Sequence, residues 1–381
     1  MARLDQICKL NMGQSPDSTS YNENGIGIPF FQGNADFGAL HPTVRIWCSE
    51  PTKVANPGDI LISVRAPIGA LNIANVKCCI GRGLAALTVD ENKCTKEYLW
   101  HVIRSKVPEL NSKGTGSTFK AISKNTLAET EIPLPSLYKQ RHIASSMDKC
   151  DQLITLRKQQ LAKLDELVKA RFVELFGDPV INPKGWDMPL IEEVVANEKN
   201  ALKAGPFGSA LKKEYYVSSG YKIYGQEQVI SGDHTFGDYY IDEERYKSLE
   251  NCAVQAGDVL ISLVGTYGKL LVMPEEFEPG IINPRLMKIT FDKKRVNPYY
   301  FQHYFQSDSL KKALAENTHG GTMDILNLGI VRKLAMPLPP LELQNEFITF
   351  VEQTDKSKLA IQQSLDKLET LKKSLMQKYF G

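Results

Sequence analysis

Two similar phrases of twelve residues constrain the fold more than any other feature: "GDILISVRAPIG" begins at Gly58 and "GDVLISLVGTYG" at Gly257, and Gly58, Asp59, Leu61, Ile62, Ser63 and Gly69 are each matched 199 positions later. Each copy is a short apolar run between a Gly-Asp pair and a glycine, which is typical of a buried strand bounded by turns. A chain that repeats a strand together with both of its turns is expected to repeat a whole folding unit.

The repeat extends along both halves in the same order. The similar segments are "EYLWHVIRS" and "PYYFQHYFQSD", "GSTFKAIS" and "GGTMDILN", and "IPLPSLYKQ" and "MPLPPLELQ", the last pair at an offset of 204. The segment "GDPVINPKGWDMP", residues 177–189, is rich in Pro, Gly and Asn and predicts a linker between the halves. Two domains also agree with a length of 381 residues, because single hydrophobic cores rarely grow that large.

Each half ends in apolar residues that step by alternating threes and fours. Such heptads predict two long helices that pair as an antiparallel, left-handed coiled coil, and each helix follows a Pro-Leu-Pro element that cannot continue a helix from upstream. Arg157, Lys358 and Lys372 interrupt the apolar seam. The predicted apolar seam consists of Ile143, Met147, Ile154, Leu161, Leu164, Val168 and Leu175 in the first helix and of Phe347, Val351, Ile361, Leu365, Leu368, Leu375 and Tyr379 in the second.

The composition, with 42% apolar and 24% charged residues, is that of an ordinary globular protein. No run approaches the roughly 18 apolar residues that would span a bilayer, and the first residues lack the apolar core of a signal peptide. We therefore expect a cytoplasmic protein without a membrane partner. Seven cysteines without a C-x-x-C pair predict reduced, buried thiols rather than disulfides or a zinc site.

Catalytic signatures are incomplete wherever they begin. "NPYY" at Asn297 lacks the second proline of the DNA amino-methyltransferase motif, and no glycine-rich cofactor loop accompanies it. "GTYGKL" at Gly265 lacks the spacing of a phosphate-binding loop, and G-x-S-x-G and H-E-x-x-H do not occur. The sequence therefore favours a binding or organising protein, with no catalytic residue and no metal site.

The duplicated domain, the duplicated heptad helix, the Pro-Leu-Pro entry and the repeated phrase together resemble the specificity (S) subunits of Type I restriction-modification systems, over nearly the whole chain. The resemblance implies an α+β protein: two similar globular target-recognition domains separated by two long antiparallel helices that form a coiled coil, with an internal pseudo-two-fold repeat. The implied segments are domain 1 at residues 1–137, the first helix at 138–177, the linker and domain 2 at 178–341, and the second helix at 342–381.

The same resemblance implies the function and the partners. In that family each globular part reads one half of a split double-stranded DNA sequence, and the helices bind the methylation (M) subunits. This chain would then be a non-catalytic DNA-recognition subunit that works with two M subunits and with restriction and translocase (R) subunits. It would hold no cofactor, since S-adenosylmethionine and ATP with Mg belong to the partner subunits.

Helix length sets a hypothesis about the target. Two similar readers at a fixed separation bind two half-sites with a fixed gap, as dimeric readers do. A helix of about 39 residues that rises roughly 1.5 Å per residue is about 58 Å long. We expect a bipartite target whose non-specific gap follows the length of the two helices.

Base edges are read by polar and basic side chains on loops, and phosphates by Lys, Arg, Ser and Thr, so loop residues of these types are the DNA-binding candidates. In the first half they are Gln32, Asn34, Arg65, Lys113, Thr115, Ser117, Thr118 and Lys120. In the second half they are Gln226, Gln228, Thr266, Tyr267, Lys269, His319 and Thr322.

Two alternatives stay open. The net charge is only +2, whereas a nucleic-acid binder often has a basic excess, so a protein scaffold that joins two partners is a competing interpretation. An S-type subunit of another assembly, such as one serving a fused methyltransferase-nuclease, is the second.

Overall fold

The computed structural model describes residues 1–116, 120–207, 210–263, 268–316 and 326–381. The chain divides into two compact units: unit 1 is Met1–Gln159 with Gln362–Gly381, and unit 2 is Gln160–Ile361. Each unit thus contains one globular part, the first portion of one long helix and the last portion of the other. These units are larger than the globular segments expected from the sequence, because each helix end is packed into a globular core.

Unit 1 consists of short strands and helices and includes the first part of the long helix α4 (Leu137–Phe176). Its elements in chain order are β1 (Ala2–Arg3), α1 (Leu4–Ile7), β2 (Cys8–Met12), β3 (Tyr21–Asn22), β4 (Ile28–Phe31), β5 (Ile46–Cys48), β6 (Val54–Ala55), β7 (Ile60–Ser63), β8 (Leu71–Ile73), β9 (Cys78–Ile80), β10 (Leu84–Val89), α2 (Lys96–Ser112), α3 (Lys124–Ala128), β11 (Glu131–Ile132) and the long helix α4 (Leu137–Phe176), whose first part belongs here.

Unit 2 has the same kinds of element. In chain order they are β12 (Leu202–Ala204), β13 (Tyr221–Tyr224), α5 (Gln226–Ser231), β14 (Tyr240–Ile241), α6 (Glu243–Ser248), β15 (Val259–Ser262), β16 (Leu270–Val272), β17 (Gly280–Ile282), β18 (Leu286–Ile289), α7 (Pro298–Phe305), α8 (Asp308–Glu316), α9 (Leu328–Arg332) and the long helix α10 (Leu341–Phe380), whose first part belongs here.

The two units share the topology of one four-stranded sheet and a parallel pair in a second sheet, which has five strands in unit 1 and three in unit 2 among the described residues. An antiparallel sheet has the strand order β2-β10-β7-β8 in unit 1 and β12-β18-β15-β16 in unit 2. A second sheet contains a parallel pair, β4 with β9 in unit 1 and β13 with β17 in unit 2. The expectation of two similar globular parts that mix sheet and helix is therefore confirmed.

The repeated phrase forms the same turn and strand in both units. Gly58 and Gly257 have φ values of 91° and 83°, a region that glycine adopts without steric cost. The aspartate that follows each glycine accepts the backbone N–H three residues before it, at 2.8 Å in both units. The Gly-Asp pair therefore closes a tight turn immediately before β7 and before β15.

The strand after this turn is buried on both faces. In β7, Ile60 and Ile62 pack into a core with α2 and α4, whereas Leu61 packs into a second core with residues of β4 and β9. The alternation repeats in β15. Because side chains alternate across a strand, a strand between two cores has no polar face, which explains the continuous apolar run in the sequence.

An aromatic pair fixes the end of a long helix in each unit. Phe380, at the end of α10, meets the ring of Tyr98 edge-on at 5.7 Å between centroids, and Phe176, at the end of α4, meets Tyr300 at 4.9 Å. Each tyrosine hydroxyl donates to the carbonyl oxygen of a proline in the Pro-Leu-Pro element, at 2.9 Å in both units. Both cores thus bind one helix end by the same aromatic contact.

A buried glutamine attaches the start of each long helix. Gln140 in α4 is fully buried; its side-chain oxygen accepts the N–H of Thr95 at 2.8 Å, and its amide nitrogen donates to Lys93 O at 3.0 Å and to Pro135 O at 2.8 Å. Gln344 in α10 makes the equivalent three bonds at 2.8 to 2.9 Å. Each helix start is therefore tied to the globular part of its own unit.

Within each unit the two long helices run antiparallel. In unit 1, Asp151 pairs with Lys372, and seven residues later Lys158 pairs with Glu369. In unit 2 the pairs are Asp165 with Lys358 and Arg171 with Glu346. Every position predicted for the seam is buried or partly buried, whereas five leucines outside the seam are exposed: Leu153, Leu156, Leu167, Leu359 and Leu371. Coiled-coil packing along the whole seam stays a prediction.

Candidate nucleic-acid interface

Loops that are far apart in the sequence meet at a shallow cavity of about 220 Å³ in unit 1. The loop after β4 carries Gln32 and Asn34, the loop after β7 carries Arg65, and the loop from β9 to β10 carries Arg82. We call this depression surface 1. Gln32, Asn34 and Arg65, predicted separately from the sequence, are therefore brought together in one site.

Backbone contacts fix the loops of surface 1. The carboxylate of Asp36 accepts the N–H of Gln32 at 2.7 Å and that of Gly33 at 3.3 Å, and it pairs with Arg45 at 2.8 Å. Gly83 lies so close to the loop after β4 that a Cβ there would be 2.4 Å from the carbonyl oxygen of Gln32. A side chain at position 83 would not fit here, so main-chain packing helps to set the shape of surface 1.

Surface 1 is positively charged. Arg65 and Arg82 are exposed, and neither guanidinium has an ion-pair or hydrogen-bond partner among the residues that the structure describes. The nearby carboxylate of Asp36 is already used by Arg45 and the backbone. An unpaired planar guanidinium can bind a phosphate, or the two acceptors of guanine, through two parallel hydrogen bonds.

The loop that follows α2 lies beside surface 1. The N–H of Ala66 donates to the carbonyl oxygen of Lys120 at 3.0 Å, and Arg65 and Thr115 both form a β-bridge with Ala121. The side chains of Thr115 and Lys120 are exposed. Two more predicted residues therefore flank the site.

The other candidates of this loop are less informative. Lys113 is exposed but pairs with Glu109 at 2.7 Å, so its charge is partly neutralised within α2 and its C-terminal turn. Ser117 and Thr118 lie outside the described residues.

Unit 2 has a larger cavity, of about 780 Å³, that we call surface 2. Gln226, just after β13, and Arg285, between β17 and β18, line it. Glu227 and the aromatic rings of Tyr216 and Tyr239 line it as well, and the two ring centroids are 5.7 Å apart. Surface 2 therefore combines charged groups with an apolar wall.

Surfaces 1 and 2 occupy equivalent places in the repeat. In each unit a glycine before a short helix, Gly33 or Gly225, has its N–H accepted by a side chain three residues later. The residue after β9 or β17 donates its N–H to the last residue of β4 or β13, at 2.8 Å in both units. The equivalent loops after β4 and β13, and after β9 and β17, thus contribute to the two surfaces, next to the end of the strand that the repeated phrase encodes.

Gln226 is held in place by its neighbours. Its amide nitrogen donates to the hydroxyl of Ser262, the last residue of β15, at 2.8 Å. Its side-chain oxygen accepts from Arg285 at 3.3 Å. Gln226 therefore presents a preorganised amide and guanidinium pair on surface 2.

The expectation that Gln228 contacts DNA is corrected by its burial. Its exposed fraction is 1%, its side-chain oxygen accepts the N–H of Gly225 at 2.8 Å, and its amide nitrogen donates to Phe236 O at 2.6 Å. Both ends of the amide are engaged inside unit 2. Gln228 is a structural residue that shapes the turn under surface 2.

Of the remaining candidates in the second half, Lys269 has an exposed side chain just before β16. Thr266, Tyr267, His319 and Thr322 lie outside the described residues.

Several residues of the two surfaces escaped the sequence analysis. Arg82 and Arg285 had a usable signal, because both lie in short loops just before a repeated strand, β10 or β18. Glu227, Tyr216 and Tyr239 had none, since exposed charged and aromatic residues are common in any loop. The pairing of β13 with β17 and with β14, together with the bridge between Val217 and Tyr240, brings their loops to one place.

The described residues show no candidate metal site and no exposed cysteine. No three His, Cys, Asp or Glu side chains there meet in a way that could hold a metal ion. All seven cysteines are free and buried, and burial raises the pKa of Cys8, Cys78 and Cys94 to about 12. None of the described helices has both the length and the apolar character that crossing a membrane requires.

The structure defines a protein built from a duplicated α+β unit, and the two copies present guanidinium and amide groups at equivalent loop surfaces. The family model of the Type I restriction modification DNA specificity domain matches residues 1–166 and 183–372. The chain therefore belongs to this family, and the resemblance found in the sequence is confirmed.

Curated relatives carry the same description. The MjaX type I restriction enzyme specificity subunit of Methanocaldococcus jannaschii is 41% identical over 165 residues, which are 43% of this chain and 39% of that relative. The chain thus matches well under half of that relative's length. The EcoBI specificity subunit of Escherichia coli is 19% identical over 99% of this chain and 84% of its own length.

A solved structure extends the likeness to the whole fold. The S subunit of a Type I restriction-modification system from M. genitalium superposes with a TM-score of 0.58 at 15% identity, over 100% of this chain and 95% of that one. At this identity the likeness concerns the fold alone, and it supports the two-domain architecture.

Proposed function

We propose that this chain is the sequence-specific, double-stranded DNA-binding subunit of a restriction-modification assembly, and that it recognises a bipartite target with a non-specific gap. The observation that carries the proposal is the pair of equivalent concave surfaces, one in each unit, beside the repeated strand. The two surfaces have similar backbones but different side chains, which suits two half-sites that differ in sequence. The exposed arginines of surface 1 supply the phosphate and base contacts that such reading needs.

The long helices are the proposed spacer and docking site. Leu167 in α4 and Leu371 in α10 are related by the repeat offset of 204, and each is 48% exposed, outside the apolar seam. Two equivalent exposed leucines fit two copies of one partner. We assign them to two M subunits, which would carry S-adenosylmethionine, while R subunits would bring ATP and Mg to a cytoplasmic complex.

The first test is genetic. Methylated bases are mapped by single-molecule sequencing in the source genome with this gene present and with it deleted. The expected result is the loss of one bipartite motif with an internal gap upon deletion. If the methylated motifs are the same in both strains, the proposed function is wrong.

The second test separates DNA reading from the scaffold alternative, which the net charge of +2 favours. Purified chain is titrated with duplexes that contain the motif, at several salt concentrations. Phosphate contacts predict an affinity that falls steeply and linearly on a log–log plot against salt, whereas a scaffold shows no such binding. Replacing Arg65 and Arg82 by alanine should weaken binding and reduce the slope, and Arg141→Ala, an exposed arginine of α4, is the matched control.

A further inference from the structure

Surfaces 1 and 2 differ in charge at equivalent positions. Gly33 precedes the short helix Asn34–Asp36, and Gly225 precedes α5. The second residue of the helix is Ala35 in unit 1 and Glu227 in unit 2, so these two positions are equivalent. The correspondence of the strands that follow puts Pro284 where unit 1 has Arg82, each two residues before β10 or β18. Surface 2 thus has no cation at the position of Arg82, and it has the carboxylate of Glu227 in addition to the guanidinium of Arg285.

Glu227 is exposed, and its carboxylate has no ion-pair or hydrogen-bond partner within the described part of the chain. A free carboxylate on a DNA-binding surface is repelled by phosphates, so its presence there requires a compensating donor. The donors in the major groove are the amino groups of cytosine and adenine.

A carboxylate can distinguish these two donors. The adenine amino group lies next to the N7 acceptor, which repels an acceptor-only group, and this is why adenine pairs with the mixed amide of Asn or Gln. The cytosine amino group has no acceptor beside it on the same base. A carboxylate therefore prefers cytosine.

The guanidinium groups of surface 1 have the opposite preference. Arg65 and Arg82 are donors only, and guanine alone offers two acceptors, O6 and N7, at the spacing of a guanidinium. Among the described residues, no acidic side chain lines surface 1. These arginines therefore favour the guanine member of a G·C pair.

We infer that both half-sites contain a G·C pair and that the two units read it from opposite members: Arg65 or Arg82 reads guanine on surface 1, and Glu227 reads the cytosine amino group on surface 2. This inference rests on the proposed function and names the base chemistry of its two sites. These three side chains then act as specificity-determining residues.

The test uses base analogues in the mapped target. The complex of this chain with its methylation subunits is assayed for binding and methyl transfer on duplexes in which each guanine is replaced by 7-deazaguanine, or each cytosine by N4-methylcytosine, one position at a time. The first analogue removes N7, and the second blocks the amino hydrogen that faces the major groove. Each replacement at a contacted base should weaken recognition about 5- to 150-fold, the range of one good base contact.

Variants link each effect to a unit. At one position, 7-deazaguanine should no longer weaken recognition when the complex carries Arg65→Ala or Arg82→Ala. At a position in the other half-site, N4-methylcytosine should no longer weaken recognition when the complex carries Glu227→Ala. Matched controls are Arg141→Ala and Glu166→Ala, two exposed residues of α4, which should leave both analogue effects unchanged. Circular dichroism and thermal melting show that every variant is folded.

The inference is overturned, while the proposed function stands, by a half-site without a G·C pair, by analogue effects that survive in the variants, or by effects of both variant types in the same half-site. Arginine variants that weaken all sequences equally also overturn it, since they would then be phosphate contacts. If the wild-type complex shows no sequence-dependent recognition at all, the proposed function itself has failed.

Discussion

The buried glutamine at the start of each long helix gives the strongest stability prediction. Gln140→Leu keeps the side chain similar in size but makes it apolar, and it leaves the N–H of Thr95 and the carbonyl oxygens of Lys93 and Pro135 without their partner. A net contribution of about 1 kcal/mol for each lost bond gives about 3 kcal/mol, and it rises toward about 5 kcal/mol if the N–H stays dry. Gln344→Leu should cost unit 2 a similar amount, because its three bonds have nearly the same lengths.

Thermal unfolding checks this value. For a unit of this size, a loss of about 3 kcal/mol lowers the midpoint by about 6 to 12 °C. Hydrogen exchange read by mass spectrometry should show faster exchange in α2 for Gln140→Leu and in α7 for Gln344→Leu, since each glutamine holds the residue that precedes or caps that helix. Gln152→Leu, an exposed position of α4, is the matched control. Equal midpoints for Gln140→Leu and Gln152→Leu would refute the reasoning.

Three further predictions concern acid stability, thiol reactivity and helix length. Burial lowers the pKa of His303 to about 4, whereas the pKa of a histidine in an unfolded chain is about 6.5. Between these pH values the unfolded state binds more protons than the native state. The free energy of unfolding should therefore fall by up to about 3 kcal/mol as the pH drops from about 6.5 to 4. Urea titrations at several pH values should show this loss abolished in His303→Phe and kept in His142→Phe, an exposed control. Because all seven cysteines are buried, a thiol reagent at pH 8 should label almost none in the native protein and all seven in urea, and rapid native labelling would contradict the assigned burial. Deleting one heptad from both α4 and α10 removes about 10 Å of helix, so the gap of the methylated motif should shorten by roughly 3 base pairs, and an unchanged gap would disprove the spacer role.

Repetition made much of this fold predictable. The phrase at Gly58 and Gly257 predicted matching strands because a positive-φ glycine, a capping aspartate and an apolar run are local requirements of a turn and a buried strand. The heptads placed helices at 138–177 and 342–381, and the structure has them at Leu137–Phe176 and Leu341–Phe380. Local periodicity was sufficient, since it reports which face of a helix avoids water.

The recognition surfaces were only partly predictable. Arg65 was named from the turn after its strand, but Arg82 was not, because the two meet only through the strands that precede and follow them. Gln228 was named as a base reader from its type and loop position, and the fold instead uses its amide to hold Gly225 and Phe236. Residue type indicates what a side chain can bind, whereas its free or engaged state depends on its neighbours.

By itself, the sequence determined that the chain is two copies of one α+β unit, each followed by a long amphipathic helix, because turns and periodic patterns depend on residues close in the chain. The tertiary structure alone decided that each unit combines the start of one helix with the end of the other, and that surface 1 is basic while surface 2 carries a free carboxylate. Those properties arise from contacts between residues tens to hundreds of positions apart, such as Phe380 with Tyr98, and no local pattern encodes such a contact.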